Sequence, residues 1–183
     1  MSNAAQHRVV SLLLPLVLVF MPWTSIHAEG VTWDFSANSK FSDIMFGETA
    51  DPIVYTEDKT PAYVLTRFVI EGESADDWIE AFEVLDTLRK SSPKTLEGWY
   101  EQFREQGEQN CPGGEWHVIA QSDNSLTFER RTSDCEPFEG QHALYRVLYG
   151  KKEIFTLIAT RKGAMDEATR SDWLDVLESA VIR

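Results

Sequence analysis

Two cysteines bracket a pair of strand-like runs and constrain the fold of this 183-residue chain more than any other feature. The runs 116–121 and 125–131 flank the polar turn 122–125, which is typical of a hairpin. If paired residue numbers add up to 246, one face is mainly apolar and the other mainly polar, whereas a slip of one residue would mix them. Because 111 and 135 also add up to 246, we expect Cys111 and Cys135 to face each other and form a disulfide.

The same register predicts which hairpin side chains share a face. One face holds the apolar set Trp116, Val118, Ala120, Leu126 and Phe128, together with Arg130. The opposite face holds His117, Ile119, Gln121, Ser125, Thr127, Glu129 and Arg131.

The N-terminus makes a disulfide plausible because it is typical of a secretory signal. His7 and Arg8 precede an apolar run from 9 to 23, and a small residue, Ala28, ends the segment. We therefore predict a cleavable signal at 1–28, with an uncleaved membrane anchor as the alternative, although the run is short and contains two prolines. The absence of a cysteine near the predicted cut excludes a lipid anchor there.

The charge balance of the chain is strongly acidic. Residues 1–28 contain one basic residue, Arg8, and no acidic one, so the mature chain has 16 basic and 30 acidic residues and a net charge of −14. Such a surface repels nucleic acid and anionic lipid, and we expect no nucleic-acid partner and no membrane span after signal cleavage. It would attract a basic protein or a cation, or serve solubility alone.

The first half of the mature chain contains one clear strand. Residues 29–60 show apolar islands without a sustained period, so we predict an irregular segment with a short strand at 41–46 and a turn at Asp51-Pro52. Residues 61–70 are rich in β-branched and aromatic side chains and are predicted to be a strand. The run 78–88 fits both a helix and a strand; we favour a strand because sequential strands usually pair.

The second half is predicted to contain two helices and a second hairpin. Ser92-Pro93 begins a helix with an apolar stripe, and Pro112-Gly113-Gly114 ends it. Runs 141–149 and 153–161 form a hairpin for which we predict pairs adding up to 302. Asp166 caps a final helix whose apolar stripe is Trp173, Leu174, Leu177, Ala180 and Val181. Because both faces of the second hairpin are at least half apolar, we expect an α+β fold in which residues 61–183 form a single domain, an antiparallel sheet of hairpins packed against two main helices.

The predicted 302 register places four polar side chains on one face of the second hairpin. They are His142, Arg146, Thr156 and Thr160, which could hold an anionic ligand with Arg146 as the guanidinium fork. The alternative is that these groups satisfy nearby carbonyls, as buried polar groups normally do without any ligand.

Other motifs of chemistry are absent from the sequence. No His-x-x-x-His or Cys-x-x-Cys spacing supports a metal site, and no glycine-rich phosphate loop supports a nucleotide cofactor. The serines lack the context of a nucleophile, and paired carboxylates cannot be chosen among 30 acids without geometry. We therefore predict no cofactor, no metal and no catalytic residue.

Several short motifs resemble those of a known group of proteins. Gly72-Glu73-Ser74 leads to Trp78, Cys111-Pro112 follows an amphipathic helix, and Gln141-His142 opens the next strand. In these respects, over roughly 60–183, the chain resembles uncharacterised exported proteins of Gram-negative bacteria, and its element order is similar to the Mog1/PsbP-like α/β fold. That resemblance implies a binding or assembly factor and carries no catalytic residue onto this chain.

The sequence thus favours an exported, periplasmic or secreted, non-catalytic domain that binds an envelope protein or a small ligand. Two alternatives remain: a periplasmic hydrolase acting on envelope material through carboxylates, and an inhibitor of a basic lytic enzyme.

Overall fold

The computed structural model describes residues 29–46, 55–74, 76–135 and 140–183. The predicted signal at 1–28 and the predicted turn at Asp51-Pro52 lie outside these ranges. The strands are β1 (Val31–Thr32), β2 (Tyr55–Lys59), β3 (Tyr63–Gly72), β4 (Trp78–Leu88), β5 (Glu115–Gln121), β6 (Ser125–Arg131), β7 (Gln141–Tyr149), β8 (Glu153–Lys162) and β9 (Val181–Ile182). The helices are α1 (Ser39–Phe46), α2 (Leu96–Asn110) and α3 (Glu167–Glu178). None of these helices is long and apolar enough to cross a membrane.

Seven strands form one antiparallel sheet in the order β2-β3-β4-β8-β7-β6-β5. The short strands β1 and β9 form a separate pair that joins the N-terminal segment to the C-terminus. This arrangement of an antiparallel sheet with helices confirms the predicted single α+β domain.

Helices cover both faces of the sheet. Because side chains alternate along each strand, every strand contributes residues to both faces. On the face that we call the α3 face, Trp173 of α3 and Phe41 of α1 pack against Phe82 and Leu144. On the opposite α2 face, the aromatic side chains of α2 pack against Phe128, Tyr145 and Val147. The central strands β7 and β8 are therefore buried from both sides, as their sequences predicted.

The register of the central hairpin differs from the prediction by one residue. Pairs of β7 and β8 add up to 303, from Tyr149↔Ile154 outwards, and not to 302. The turn is a two-residue one, because the amide of Gly150 donates to the carbonyl of Glu153 at 2.9 Å, and two-residue hairpin turns give an odd sum. The carboxylate of Glu29 also contacts this turn and accepts hydrogen bonds from the three consecutive amides of 151–153 at 2.8, 2.8 and 3.2 Å.

The first hairpin keeps its predicted register only in its outer half. Four pairs, from Glu115↔Arg131 to Val118↔Phe128, add up to 246. A bulge at Ile119 then shifts the remaining pairs to 247, which moves Ala120 to the α3 face opposite Thr127. The outer register and the predicted disulfide are confirmed: Cys111 and Cys135 are bonded, with their Cα atoms 5.6 Å apart.

Other predicted elements are confirmed or corrected. The ambiguous run 78–88 is strand β4, as favoured. The strand predicted at 41–46 is wrong, because the side chain of Asn38 accepts the amide of Phe41 at 3.0 Å and helix α1 occupies 39–46.

The start of α2 and the end of α3 differ from their predicted positions. Helix α2 is capped by Thr95, which accepts the amide of Gly98 at 3.1 Å, and not by Ser92. Helix α3 is capped by Asp166 as predicted, but it ends before Val181, which belongs to β9.

We predict that replacing both cysteines with serine destabilises the protein only where the disulfide can form. The bridge closes a loop between residues 24 positions apart, and the chain-entropy estimate for such a loop is about 3 kcal/mol. Urea denaturation without reductant should show this loss for Cys111→Ser/Cys135→Ser. Under a thiol reductant the variant and the wild type should coincide; equal stability without reductant would contradict the bridge.

We predict that Trp173→Ala lowers the free energy of unfolding by about 3–5 kcal/mol, because a large buried side chain is lost. Trp173 is fully buried, stacks on Phe82 with ring centroids 5.5 Å apart, and donates a hydrogen bond to Glu80. The matched control is Ile79→Ala, at a side chain that is 40% exposed, which should change stability by less than about 0.5 kcal/mol. Similar losses for the two variants, measured by chemical denaturation, would disagree with the packing described above.

Candidate functional site

A row of polar side chains crosses the α3 face from β3 to β5. Each member pairs directly with the next across the strands, and we call this set the charged row. Its members are Glu71, Glu80, Arg161, His142, Arg131 and Glu115. Opposite charges on neighbouring strands stabilise the pairing, and the like-charged pair Glu71 and Glu80 shares the guanidinium of Arg161 at 3.0 and 2.5 Å.

At β4 the row contains a buried ion pair, between Glu80 and Arg161, beneath the helices. Glu80 is fully buried, and its Oε1 accepts a hydrogen bond from the indole N–H of Trp173 at 2.7 Å. Its Oε2 accepts from Arg161, and Lys40 of α1 lies 3.6 Å away. Because both oxygens are paired, this carboxylate ties α1 and α3 to the sheet and is not available as a base.

Glu129 of β6 is the centre of a second group of ion pairs, which includes His142 and Arg131 of the charged row. Its Oε1 accepts hydrogen bonds from His142 at 2.6 Å and from two nitrogens of Arg131 at 2.9 and 2.6 Å. Its Oε2 accepts from Arg170 of α3 at 2.9 and 3.2 Å. Burial by itself raises the pKa of Glu129, but the hydrogen bonds from Arg170, Arg131 and His142 outweigh it and hold the pKa at about 2.

His142 links this carboxylate to the loop before α3. Its Nδ1 accepts the backbone amide of Met165 at 3.0 Å, so the ring proton is on Nε2 and is donated to Glu129. Burial lowers the pKa of His142, against the opposing effect of Glu129, and keeps the ring neutral. Both nitrogens are therefore used, and His142 has no free position from which to take a substrate proton.

A cavity of about 670 Å³ lies beside this network, between the β6–β7 loop and the β8–α3 loop. We call it the loop cleft, and its lining residues are 131–134, 140–142 and 162–165. One wall is closed by two backbone hydrogen bonds between Thr132 and Gln141, and the disulfide at Cys135 ties the same wall to the end of α2. The two walls are joined where the amide of Gly163 donates to the carbonyl of Gly140 at 2.9 Å. The volume falls in the range of about 300–1,000 Å³ typical of ligand sites.

A second cavity of about 370 Å³ adjoins the loop cleft and shares Arg131 with it. Its other lining residues are Glu115, His117, Glu129 and Arg170. All of these lining residues belong to β5, β6 or α3. The two cavities meet at Arg131, because that residue lines both.

The four predicted ligand residues do not share a face. In the 303 register His142 and Arg146 lie on the α3 face, while Thr156 and Thr160 lie buried on the α2 face. His142 lines the loop cleft, whereas Arg146 donates from Nη1 to the hydroxyl of Thr127 at 2.8 Å. The grouping on which the predicted anion site depended is therefore wrong, because a one-residue slip exchanges the faces of one strand.

A small cavity of about 170 Å³ brings two acids together, which the sequence could not show. Asp86 and Glu153 both line it, and burial raises the pKa of each; for Glu153 the nearby charges of Asp86 and Glu29 add to the effect of burial. The buried Oε2 of Glu153 accepts no hydrogen bond within the described residues.

Nothing among the described residues is arranged as a metal centre. In that part of the chain no group of three or more His, Cys, Asp or Glu side chains is placed to hold a metal ion. Both cysteines are in the disulfide.

Sequence reasoning missed Glu129, Arg131, Arg170 and Lys162 as members of one site. Glu129 and Arg131 were placed on the polar face of the first hairpin, which in isolation reads as a solvated surface. One signal in the sequence could have indicated this site. Both faces of the second hairpin contain apolar residues, so a helix must cover each face of the sheet and must also bury some of the polar residues there. Which helix covers them depends on tertiary packing.

We predict that Glu129 makes stability depend on pH in acid. Its folded-state pKa of about 2 is below the ordinary value of 4.5, so its contribution is present above about pH 4.5 and is lost as the pH falls towards 2. The stability advantage of the wild type over Glu129→Gln should therefore shrink by about 3 kcal/mol between about pH 5 and pH 2. Urea denaturation at each pH measures this difference.

The matched control for the loss of one carboxylate is Glu105→Gln, at an exposed position of α2. A difference between wild type and Glu129→Gln that stays constant with pH would show that the carboxylate of Glu129 is not held by its cationic partners.

Comparison with known proteins adds no family to these observations. No protein-family model matches the chain, and a search of curated proteins finds no significant match. The geometry of the loop cleft and of the network beneath it is therefore the basis for a functional proposal.

Proposed function

We propose that this chain is an exported, non-catalytic binding domain of the bacterial cell envelope, and that its ligand occupies the loop cleft. The observation that carries this proposal is an accessible cavity of about 670 Å³ beside a polar network whose buried groups are already paired within the protein. A catalytic site needs a base or nucleophile free to act on a substrate. His142 and Glu129 have no such freedom.

Export is supported by two features that are independent of the cleft. Residues 1–28 have the pattern of a cleavable signal. The disulfide between Cys111 and Cys135 is typical of an oxidising compartment such as the periplasm. We include in this proposal the similarity of the element order to the Mog1/PsbP-like fold, because that similarity implies a binding or assembly role.

Of the two expected classes of partner, an envelope protein and a small ligand, the cleft favours a small ligand. It is bounded on two sides by loops that are joined to each other by hydrogen bonds, from Gly163 to Gly140 and from Met165 to His142. Bounded cavities of this volume suit small molecules, whereas protein partners usually bury wider surfaces of about 800 Å² on each side.

A hydrolase acting through carboxylates is the second candidate, and the pair Asp86 and Glu153 is the specific observation in its favour. Raised pKa values on two acids that share a cavity are typical of acid–base sites. The cavity of about 170 Å³ is smaller than ligand sites usually are. Inhibition of a basic lytic enzyme is supported only by the net charge, so binding in the loop cleft is the better proposal.

We predict that ligands from the periplasm perturb the loop cleft and nothing else. The ¹H–¹⁵N spectrum of the purified protein should be recorded with and without the small-molecule fraction of a periplasmic extract. We expect shifts at 131–134, 140–142 and 162–165, and we expect Ala164→Trp, which fills the mouth of the cleft, to abolish them.

The control for this experiment is Val181→Trp, which places the same side chain at an exposed position of β9, outside the residues that line the cleft, and should leave the shifts unchanged. Perturbation confined to other regions would refute the cleft as the binding site. Conversion of an added compound would refute the non-catalytic assignment.

A further inference from the structure

We propose that His142 is a pH-sensitive switch in the loop cleft: in acid its ring takes up a proton, loses the hydrogen bond from the amide of Met165 and releases the β8–α3 loop. That loop is the segment 163–166 between β8 and α3, and 163–165 line the cleft. This inference rests on the proposed function, because it gives the regulation of the same site.

The two ring nitrogens of His142 are used in different ways. A backbone amide can only donate, so Nδ1, which lies 3.0 Å from the nitrogen of Met165, has a lone pair and no proton. The single ring proton is on Nε2 and is donated to Glu129 at 2.6 Å. A second proton can bind only at Nδ1, where it would point at the amide hydrogen of Met165. Protonation of the ring and this hydrogen bond are therefore mutually exclusive.

The charged groups around His142 in the described part of the chain come from the two neighbouring strands, from α3 and from the cleft. They are Glu129 and Arg131 of β6, Arg161 of β8, Arg170 of α3, and Asp134 and Lys162 of the cleft. Glu129 favours the protonated ring, whereas burial and the charges of Arg131 and Arg170 oppose it. The guanidinium of Arg161 is bound to two glutamates of β3 and β4. Because burial has the largest effect, the pKa of His142 lies below the ordinary value of 6.5, and the ring takes up its proton while Glu129, with a pKa of about 2, is still ionised.

Two backbone amides of the β8–α3 loop donate to residues on the other side of the cleft. Gly163 donates to the carbonyl of Gly140 at 2.9 Å, and Met165 donates to His142. Of these two acceptors only the second can titrate. Gly163 has a φ of +75° with nothing within 4 Å of the position of a Cβ atom, and Ala164 is exposed, so the backbone has room to pivot between the two amides.

Protonation of the ring moves one wall of the cleft and leaves the other in place. Loss of its acceptor leaves the amide of Met165 unpaired, which is unfavourable for a residue that is only 8% exposed. The amide regains a partner when its peptide turns towards water in the cleft, and that movement changes the wall formed by 163–165. The opposite wall is closed by hydrogen bonds between Thr132 and Gln141 and by the disulfide at Cys135, none of which titrates in mild acid.

The switch couples the ligand of the cleft to the proton on His142. A ligand that fits the cleft with the β8–α3 loop in place binds more strongly when the ring is neutral, so acid weakens its binding. By linkage, the same ligand lowers the pKa of His142 by the corresponding amount.

The test follows the two histidines of the mature chain, His142 and the exposed His117, together with hydrogen exchange at the amide of Met165. Ring ¹H–¹³C spectra give both pKa values between about pH 7.5 and about pH 4.5, a range in which the carboxyl group of Glu129 stays ionised. We expect the protection factor of Met165, corrected for the intrinsic exchange rate, to fall by about tenfold or more with the midpoint of His142. The protection factor of Gln141 should stay constant.

His142→Asn is the variant that removes the switch. The side-chain oxygen of asparagine can accept the amide of Met165 in place of Nδ1 but does not titrate, so the protection of Met165 should no longer change with pH. The matched control is His117→Asn, at an exposed position of β5, which should keep the wild-type pH dependence. If His142→Asn fails to fold, Glu129→Gln is the second variant: it removes the charge that favours the protonated ring, so the pKa of His142 and the midpoint for Met165 should fall together.

Each other outcome has a definite meaning. A ring of His142 that stays neutral down to about pH 4.5, or a midpoint for Met165 that differs from the pKa of this ring, would overturn the switch. Binding of the periplasmic small-molecule fraction that is equally strong at both ends of the pH range would overturn the regulation and leave the proposed function standing. No shift in the cleft with that fraction at either pH would refute the proposed function, whereas hydrogen exchange at Met165 still decides the switch.

Discussion

The buried carboxylate of Glu129 is the interaction on which the rest of this structure depends. It lies on β6 and binds His142 of β7 and Arg170 of α3, and through His142 it is connected to the amide of Met165. A carboxylate removed from water is unfavourable unless its oxygens are paired. The need to pair it therefore couples the position of α3 on the sheet to the position of the loop that forms one wall of the cleft.

The loop cleft lies at the edge of the part of the sheet that α3 and α1 cover, where the β6–β7 and β8–α3 loops begin. Over the centre of the α3 face, Trp173 and its aromatic neighbours exclude solvent. Beyond the charged row the two loops leave the sheet, and the disulfide at Cys135 keeps one of them tied to α2 on the opposite face. The buried polar groups stabilise this frame, so a ligand in our proposed site would meet the residues at its edge.

Much of the architecture could be predicted because it follows from local pattern. Alternation of apolar side chains identified both hairpins, β-branched and aromatic content identified β3, and the tendency of sequential strands to pair favoured a strand for β4. The turn between β5 and β6 brought Cys111 and Cys135 together as expected. The predicted anion site failed for an equally simple reason. A register error of one residue leaves the strand in place but moves Thr156 and Thr160 to the other face. The bulge at Ile119 escaped prediction in the same way, since it requires the context of the finished sheet.

The sequence by itself determined the α+β class, the paired strands, the N-cap of α3 and the disulfide, because each depends on residues close in the chain or on a simple period. Only the tertiary structure decided the contact of Glu29 with the β7–β8 turn and the assembly of Glu129, His142, Arg131 and Arg170 beneath α3. The physical reason is that a polar strand residue has the same pattern whether water or a helix covers it. Its role is settled only when a partner from a distant element arrives to pair its charge.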